Sequence, residues 1–321
     1  MTDSSNVNRP RGAPARWPWQ IPRKGWRAIL ARIWRRNLDN SFGLIAAGVA
    51  FYAMLSTFPA ITAFVSLYGY FADPAAVSNH VARLQDVMPP DSWKLIEDQI
   101  RSVGDAAQGK LGLGALLSLL ITFWFSGAGL RAVVDALNHV YREQEDRGLI
   151  GSNLVVFAMT IAGLLVGLLA LAVIIALPVV LRYLQLAGTL RWVLALAPWG
   201  LLVLVIMFSI SALYRFGPSR RAPKVSWISM GAVCATILWL LISVGFSYYV
   251  ATFGAYNRVY GTVGAVAALL IWFWLNSYVV ILGGALNAEM EFQTRRDTTV
   301  GDPKPMGERG AFVADHLPGG G

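Results

Sequence analysis

Charged residues are absent from six long stretches of the chain. These charge-free runs cover residues 40–72, 111–130, 148–181, 192–214, 225–257 and 259–288. A helix needs about 20 apolar residues to cross the hydrocarbon core of a bilayer, and each run reaches that length. The runs are continuously apolar rather than alternating, which argues against a membrane β-barrel. The pattern predicts an all-α, polytopic membrane protein with six transmembrane helices, at about 42–71, 111–132, 150–181, 192–214, 226–251 and 261–288.

The composition supports the same class of protein. Of 321 residues, 56% are hydrophobic and only 14% are charged, whereas charged residues make up about 25% of an average soluble domain. The chain therefore lacks the polar surface that would cover six such helices in water. Its apolar residues are expected to face lipid.

Basic residues divide unevenly between the segments that flank the runs. Alternate segments hold 20 of the 27 Lys and Arg residues, namely 1–39, 131–147, 215–224 and 289–321, and the remaining segments hold 7. Cytoplasmic flanks of membrane helices carry this excess, so both termini are predicted to be cytoplasmic. Membrane lipids, anionic at this face, are the expected partners. No folded basic domain indicates nucleic-acid binding.

The segments outside the spans have patterns of their own. Residues 23–36 predict an amphipathic helix on the membrane surface, with an apolar face of Trp26, Ile29, Leu30, Ile33 and Trp34. The outer segment 73–110, between spans 1 and 2, predicts two short amphipathic helices. The basic, Pro-rich arm 1–22 and the tail 297–321 are expected to be disordered on either side of a transmembrane domain at 37–292.

Polar residues inside the apolar runs are candidates for function, because they are costly in lipid unless they face protein or water. The candidate pathway or polar core contains Tyr52, Ser56, Asn276, Tyr278, Asn287 and Glu289. Tyr52 and Ser56 are four residues apart and share a helical face. Two interpretations stay open: these residues line a path through the membrane, or they only hold the helices together.

A second polar group follows the second run. Its members form a candidate cytoplasmic gate cluster and are Arg131, Asp135, Asn138 and His139. Arg131 with Asp135, and Asp135 with His139, are pairs at a spacing of four residues on one helical face. A simple ion pair at a helix end explains the same spacing.

Motifs for catalysis and metal binding are absent. Cys234 is the single cysteine, so neither an intrachain disulfide nor a cysteine-based zinc site can form. The three histidines are far apart in sequence, and no phosphate-binding Gly loop, His-Glu-x-x-His or Cys-x-x-Cys occurs. We therefore predict no enzymatic activity, no metal and no cofactor.

Four stretches resemble the YihY/virulence factor BrkB family of bacterial inner membrane proteins. They are SFGLIAAGVAFYAMLSTFPAITAFVSLYGY at 41–70, SGAGLRAVVDALNHVYREQEDR at 126–147, YRFGPSRR at 214–221, and the long segment 248–289. The resemblance extends from about residue 25 to 292. It implies a six-helix fold in the bacterial inner membrane. Some members have carried the label ribonuclease BN, and others have been linked to serum resistance or to export of lipopolysaccharide precursors.

Two functions follow as alternatives. The first is transport or translocation of a lipid or envelope component, with the polar residues of the first, second and sixth spans lining a path. The second is a non-catalytic envelope scaffold, in which the same residues only knit the bundle together. A ribonuclease is the least favoured function, because no set of metal ligands supports it.

Overall fold

The computed structural model describes residues 14–39, 42–71, 113–183, 189–253 and 257–318. These residues are almost entirely helical, and no β-strand occurs among them. The helices are α1 (Arg23–Asp39), α2 (Phe42–Phe71), α3 (Leu113–Tyr141), α4 (Gly148–Tyr183), α5 (Thr189–Phe216), α6 (Val225–Phe253), α7 (Asn257–Glu291) and α8 (Phe312–Asp315). A short 3-10 turn, Pro18–Gln20, precedes α1.

The prediction of an all-helical protein is confirmed, and each predicted span falls within one helix of the series α2 to α7, to within two residues at its start. Among the described residues, three helical stretches are long and apolar enough to cross a membrane: Gly148–Gly167, Val225–Val250 and Val266–Glu291. A fourth arises if α1 and the first part of α2, bent by 66° relative to each other, count as one span. The full number of six spans stays a prediction. The two outer helices predicted at 73–110 lie outside the described residues.

The chain divides into two compact units. The larger contains Met1–Ala50 and Leu130–Gly321, and the smaller contains Phe51–Gly129. The core of the larger unit is built from side chains of α1, α2, α3, α5, α6 and α7, including Ile29, Phe42, Leu137, Tyr214, Trp227 and Ile281. In the smaller unit, a Cβ placed on Gly129 of α3 would lie 3.4 Å from Cβ of Tyr52 on α2.

The closest helix contact joins α6 to α7 in the larger unit. The side chain of Asn287 on α7 is completely buried. Its Oδ1 accepts from the backbone N–H of Gly231 at 2.8 Å, and its Nδ2 donates to the Ile228 carbonyl at 3.1 Å. A Cβ on Gly231 would lie 2.3 Å from the carbonyl oxygen of Gly283. Glycine at 231 therefore permits a close approach of α6 to α7, and the hydrogen bonds of the Asn287 amide hold the two helices there.

The tail is folded, so the expectation of disorder at 297–321 is wrong for the described residues up to 318. The guanidinium of Arg309 donates to four backbone carbonyls, those of Arg295 at 2.8 Å, Arg296 at 3.3 Å, Lys304 at 3.1 Å and Ala314 at 2.6 Å. Gly310, with φ of 67°, turns the chain directly after Arg309. Composition suggested disorder, but a buried cation surrounded by carbonyls supplies the core that apolar side chains do not.

The N-terminal arm is also packed where the structure describes it, from residue 14 onward. Ala15, Pro18 and Ile21 are buried. The carbonyl of Ala15 accepts from the hydroxyl of Thr294 at 2.7 Å, which ties the arm to the start of the tail. The expectation of a disordered arm at 1–22 is therefore wrong for residues 14–22. Residues 1–13 lie outside the described part of the chain.

The helix predicted at 23–36 is present as α1, but its apolar face is divided between two environments. Ile29 and Ile33 are buried in the core, whereas Leu30 is 57% and Trp34 is 66% exposed. The buried residues hold α1 against the bundle, and the exposed ones are free to enter lipid. Placement of this helix on a membrane surface stays a prediction.

The four basic segments that the sequence assigns to the cytoplasm lie together at one end of the larger unit. Contacts connect α1 to the end of α3, residues 142–147 to residues 217–224, and the tail to Glu143. We call α1, residues 142–147, residues 217–224 and residues 292–318 the basic layer.

The first prediction concerns the close contact of α6 with α7. Gly231→Ala should lower stability by about 1 to 3 kcal/mol, because the added methyl group collides with backbone and forces the helices apart. Gly245→Ala on the same helix is the control, because a Cβ there meets nothing within 4 Å. Alanine has a higher helix propensity than glycine, so this variant should be as stable as the unmodified protein or slightly more stable. Thermal unfolding in detergent measures both variants. Equal stability of the two would contradict the proposed packing role of Gly231.

The second prediction concerns orientation. Reporter fusions after Arg147 and Lys224, both in the basic layer, should report the cytoplasm, because the excess of Lys and Arg lies on that side. Fusions after Gln99 and Asn257 should report the exterior. An exterior signal from the fusion after Lys224 would reverse the assignment.

Candidate functional site

Glu289, near the end of α7, is the centre of an ionic cluster. Its side chain is 1% exposed and contacts three guanidinium groups. Arg32 Nε lies 2.5 Å from Oε2, while Arg36 Nη1 and Arg142 Nη2 lie 3.0 Å and 3.2 Å from Oε1. Three cations share one carboxylate, so the cluster carries a net charge of +2. Such an arrangement holds three segments together and leaves a positive potential at this end of the bundle.

Local structure explains why these arginines converge. Arg32 and Arg36 are four residues apart and therefore share one side of α1. Arg142 follows the last residue of α3 with φ of 60°, in the left-handed region. Its N–H donates to the His139 carbonyl at 3.2 Å, and the next N–H, of Glu143, donates to the Asn138 carbonyl at 2.8 Å. These two bonds form a Schellman C-cap, which ends the helix and turns Arg142 back towards Glu289.

A second buried ion pair involves Glu291, two residues after Glu289. Arg220 Nη2 contacts Glu291 Oε2 at 2.7 Å, and both side chains are fully buried. The Thr298 hydroxyl donates to the same oxygen at 2.8 Å, and the Arg220 guanidinium lies 4.7 Å from the centre of the Tyr141 ring. Burial lowers the pKa of Arg220, but the charges of Glu291, Tyr141 and Glu143 and the hydrogen bond to Glu291 together outweigh it, and the net shift is upward. The pair fixes the loop 217–224 to the end of α7, and loss of either partner would leave an uncompensated buried charge.

The predicted gate cluster does not form one group in the structure. Arg131 donates to the Asn153 side chain of α4 rather than pairing with Asp135, and no nitrogen–oxygen contact within 4 Å joins Arg131 to Asp135. The His139 imidazole is exposed, and only its carbonyl takes part, accepting from Arg36 at 3.2 Å. A gating role for these residues stays a prediction.

Asn138 instead connects two loops of the basic layer. Its Oδ1 accepts from the Ser219 N–H at 2.7 Å, and its Nδ2 donates to Glu145 Oε2 at 3.0 Å. Glu143, in the same loop, accepts from the Phe312 N–H at 2.8 Å. Burial raises the pKa of Glu143 above its usual range. The loop 142–147 is thus held from both sides, by loop 217–224 and by the tail.

The candidate pathway residues fall into different environments. Asn287 and Glu289 hold helices and loops together, as described above. Tyr278 stacks on Trp274 with ring centres 5.8 Å apart. Tyr52 and Ser56 belong to the smaller unit, where the Ser56 hydroxyl donates to the Ala53 carbonyl of its own helix at 2.8 Å. A path shared by all six residues stays a prediction.

Asn276 differs from the other candidates because half of its amide is unsatisfied. Its Nδ2 donates to the Trp272 carbonyl at 2.6 Å. Its Oδ1 is buried and finds no hydrogen-bond partner among the described residues. A buried amide oxygen without a partner is costly, most of all inside an apolar helix, so a functional explanation is favoured.

A groove of about 630 Å³ lies between α5 and α6. Its walls are mainly apolar, and three hydroxyl-bearing residues of α6 interrupt them. The lining residues are Leu202, Val203, Trp239, Leu240, Ser243, Val244, Ser247 and Tyr248. The Ser243 hydroxyl is buried and has no hydrogen-bond partner in the described part of the chain. Sequence reasoning missed this residue, because a serine in an apolar helix usually donates to its own backbone.

Catalytic chemistry has no visible centre in the parts of the chain that the structure describes. Within them, no group of three or more His, Cys, Asp or Glu side chains is placed to hold a metal ion. The clustered charges are arginines on carboxylates, which favour structure and anion attraction rather than activation of water.

Long apolar helices, exposed apolar side chains and a basic layer at one end define a helical membrane protein. The chain belongs to the virulence factor BrkB family, whose model matches residues 33–306. This confirms the resemblance drawn from the four sequence stretches.

Relatives of the chain carry membrane-protein and ribonuclease-like names. A Bacillus subtilis (strain 168) protein named as ribonuclease-like, YfkH, is 31% identical over 252 residues, or 76% of this chain and 88% of the relative. The UPF0761 membrane protein PSHAa0171 of Pseudoalteromonas translucida (strain TAC 125) is 27% identical, over 82% of this chain and 86% of the relative. The UPF0761 membrane protein RSc1559 of Ralstonia nicotianae is 26% identical over 85% of this chain but only 60% of its own length. No solved structure matches the chain significantly.

The third prediction tests Glu289. Glu289→Gln should lower the free energy of unfolding by about 2 to 4 kcal/mol, because three neighbouring arginines lose their common counter-charge. These arginines keep between 13% and 31% exposure, which places the effect below that of a fully buried pair.

The control for this variant is Glu308→Gln. Glu308 is exposed and forms no ion pair in the described part of the chain. Glu308→Gln removes the same charge from the same layer as Glu289→Gln, so its unfolding temperature should be nearly that of the unmodified protein. An equal loss in both variants would mean that total charge, not the Glu289 cluster, sets stability.

Proposed function

We propose that this protein is a multi-pass protein of the bacterial inner membrane, with both termini in the cytoplasm, that translocates a lipid or another amphiphilic envelope component. The observation that carries the proposal is the groove between α5 and α6 with the unpartnered Ser243 hydroxyl in its wall. Apolar walls fit an acyl chain, and the buried hydroxyl can donate to an ester or headgroup oxygen.

The position of the groove supports a lipid ligand. The neighbouring surface of α5 and α6 exposes large apolar side chains, including Leu204, Phe208, Leu241 and Val244. In a membrane this surface faces acyl chains, so a lipid reaches the groove without leaving the bilayer.

A second unsatisfied group lies on α7. Asn276 presents a buried amide oxygen without a partner among the described residues, well within an apolar stretch of 26 residues, Val266–Glu291. Unpaired polar atoms inside membrane helices mark substrate or ion pathways more often than packing sites. Ser243 and Asn276 are therefore the residues that we assign to the moving ligand.

The basic layer favours a negatively charged substrate. The net +2 charge of the Glu289 cluster lies at the same end as the exposed arginines of α1. Such a field concentrates anionic headgroups at this surface. An amphiphile with an anionic headgroup is the substrate class that fits both the layer and the groove.

A scaffold is the alternative function, and the roles of Asn287 and Glu289 in joining helices and loops favour it. A ribonuclease activity would rest only on names, such as that of the ribonuclease-like relative YfkH. No described cluster of metal ligands supports it.

The fourth prediction tests translocation. In reconstituted vesicles with a fluorescent anionic lipid, Ser243→Leu and Asn276→Leu should each slow transfer by about tenfold or more, equivalent to about 1.4 kcal/mol of lost interaction. The first substitution fills the groove and removes its hydroxyl. The second removes the amide whose oxygen is unpaired. Thermal unfolding in detergent should change little, because the only described side-chain hydrogen bond that is lost runs from Asn276 Nδ2 to the Trp272 carbonyl of its own helix.

Ser209→Leu is the matched control. Ser209 lies on an exposed face of α5, and its hydroxyl donates to the Val205 carbonyl at 2.8 Å. Transfer by this variant should equal that of the unmodified protein. If the unmodified protein moves lipid no faster than protein-free vesicles do, or if Ser243→Leu and Asn276→Leu lower only thermal stability, the scaffold function replaces the transport proposal.

A further inference from the structure

A cavity of about 540 Å³ opens in the basic layer, away from the groove, with which it shares no lining residue. The N-terminal arm, the start of α6 and the tail each contribute to its wall. Six cationic side chains line it: Arg16, Lys224, Arg295, Arg296, Lys304 and Arg309. One carboxylate, Asp297, is present. The net charge of the wall is therefore +5.

Two of the six cations have structural roles. Arg309 is enclosed by the four carbonyls described above, and Lys224 Nζ donates to the Asp297 carbonyl at 2.8 Å. The side chains of Arg16, Arg295, Arg296 and Lys304 form neither an ion pair within 4 Å nor a hydrogen bond in the described part of the chain. These four cations are exposed and solvated, and no carboxylate of the described chain pairs with them.

Asp297 supplies one negative charge, already counted in the net +5, and its oxygens accept other hydrogen bonds instead of pairing with these four cations. Oδ1 accepts from the N–H of Thr299 at 2.9 Å and from its hydroxyl at 2.7 Å, while Oδ2 accepts from the Lys304 N–H at 2.9 Å. Partial burial raises the pKa of Asp297, but these hydrogen bonds outweigh it and lower the pKa below its usual range. The carboxylate shapes the loop 297–304 and stays ionised at neutral pH.

The rest of the wall suits a ligand larger than a bare ion. The cavity volume lies within the roughly 300 to 1,000 Å³ of small-molecule sites. Trp17 and Trp227 supply flat apolar surface, and Ser226 supplies a hydroxyl. Ser226 and Trp227 also belong to the first turn of α6, where the helix dipole adds partial positive charge.

We propose that this cavity binds a phosphate group carried on a small organic body. Arginine guanidinium groups recognise phosphate with two parallel hydrogen bonds, and four unpaired cations can neutralise a dianionic phosphate monoester. Either the headgroup of an anionic membrane lipid or a soluble phosphate ester has this chemistry. Because the N-terminal arm, the start of α6 and the tail line the cavity, its occupant holds these segments together and stabilises the basic layer. This site would exist whether or not the groove carries lipid.

The experiment uses the full-length protein in nanodiscs and measures thermal unfolding. One arm adds glycerol 3-phosphate to phosphatidylcholine discs. The other arm uses discs that contain phosphatidic acid, without soluble phosphate. A ligand that binds only the folded protein raises the unfolding temperature. Stabilisation only in the first arm identifies a soluble ester, and stabilisation only in the second identifies a lipid headgroup.

The variant pair Arg295→Gln/Arg296→Gln should weaken the binding by about tenfold or more, because each substitution removes a charge-assisted hydrogen bond to the phosphate. Backbone carbonyls of both residues remain to hold Arg309. If the pair does not fold, Lys304→Gln replaces it.

Arg27→Gln/Arg35→Gln is the control pair, with the same loss of charge on exposed positions of α1 outside the cavity. It should bind as the unmodified protein does. No stabilisation in either arm, or equal weakening by both pairs, would overturn the proposed site, because the basic layer would then act only as a diffuse charge.

Discussion

The carboxylate of Glu289 is the interaction on which the basic layer depends. It lies near the end of the apolar stretch Val266–Glu291 and receives arginines from α1 and from the turn after α3. A lone buried carboxylate would be strongly unfavourable, and so would three arginines packed together without one. Each side of the cluster therefore requires the other. The ionic contact converts three segments that are distant in sequence into one surface.

Lipid gives the helices no hydrophobic reason to associate, so polar and small residues must do it. Asn287 joins α6 to α7 through Gly231 and Ile228, and the Tyr214 hydroxyl joins α5 to α7 through the Val280 carbonyl at 2.7 Å. These contacts lie next to the basic layer, where the buried residues of the larger unit are concentrated. Further from the layer, α5 and α6 carry exposed apolar side chains and line the groove between them.

The helices could be predicted from the sequence because absence of charge over about 20 residues has one common physical meaning. Roles of single residues could not. The local pattern places Arg32 and Arg36 on the polar side of a surface helix, but in the structure both turn inward to Glu289. Arg32 and Glu289 are 257 residues apart, so no local pattern could predict their contact. The order of the tail could not be predicted either, because Arg309 binds backbone carbonyls, and every residue has one whatever its type. Asn287 and Glu289 could be predicted as candidates, because polar side chains are unfavourable in or beside an apolar run. Ser243 and the cavity arginines could not, because single hydroxyl groups and surface cations are common in membrane proteins of any function.

A difference in polar satisfaction separates the parts of the molecule that hold it together from those that we assign to ligands. Glu289, Asn287, Asn138 and Arg309 each use several of their donors or acceptors, and each joins two or more segments. Ser243 and the amide oxygen of Asn276 have no described partner, and neither do the side-chain cations Arg16, Arg295, Arg296 and Lys304. A group that stabilises a fold must be paired in the resting structure, whereas a group that binds a passing ligand must be left unpaired until the ligand arrives. The first kind gathers around Glu289, and the second kind faces the groove and the basic cavity or lies buried in α7, so our proposals assign structure and ligand binding to different residues.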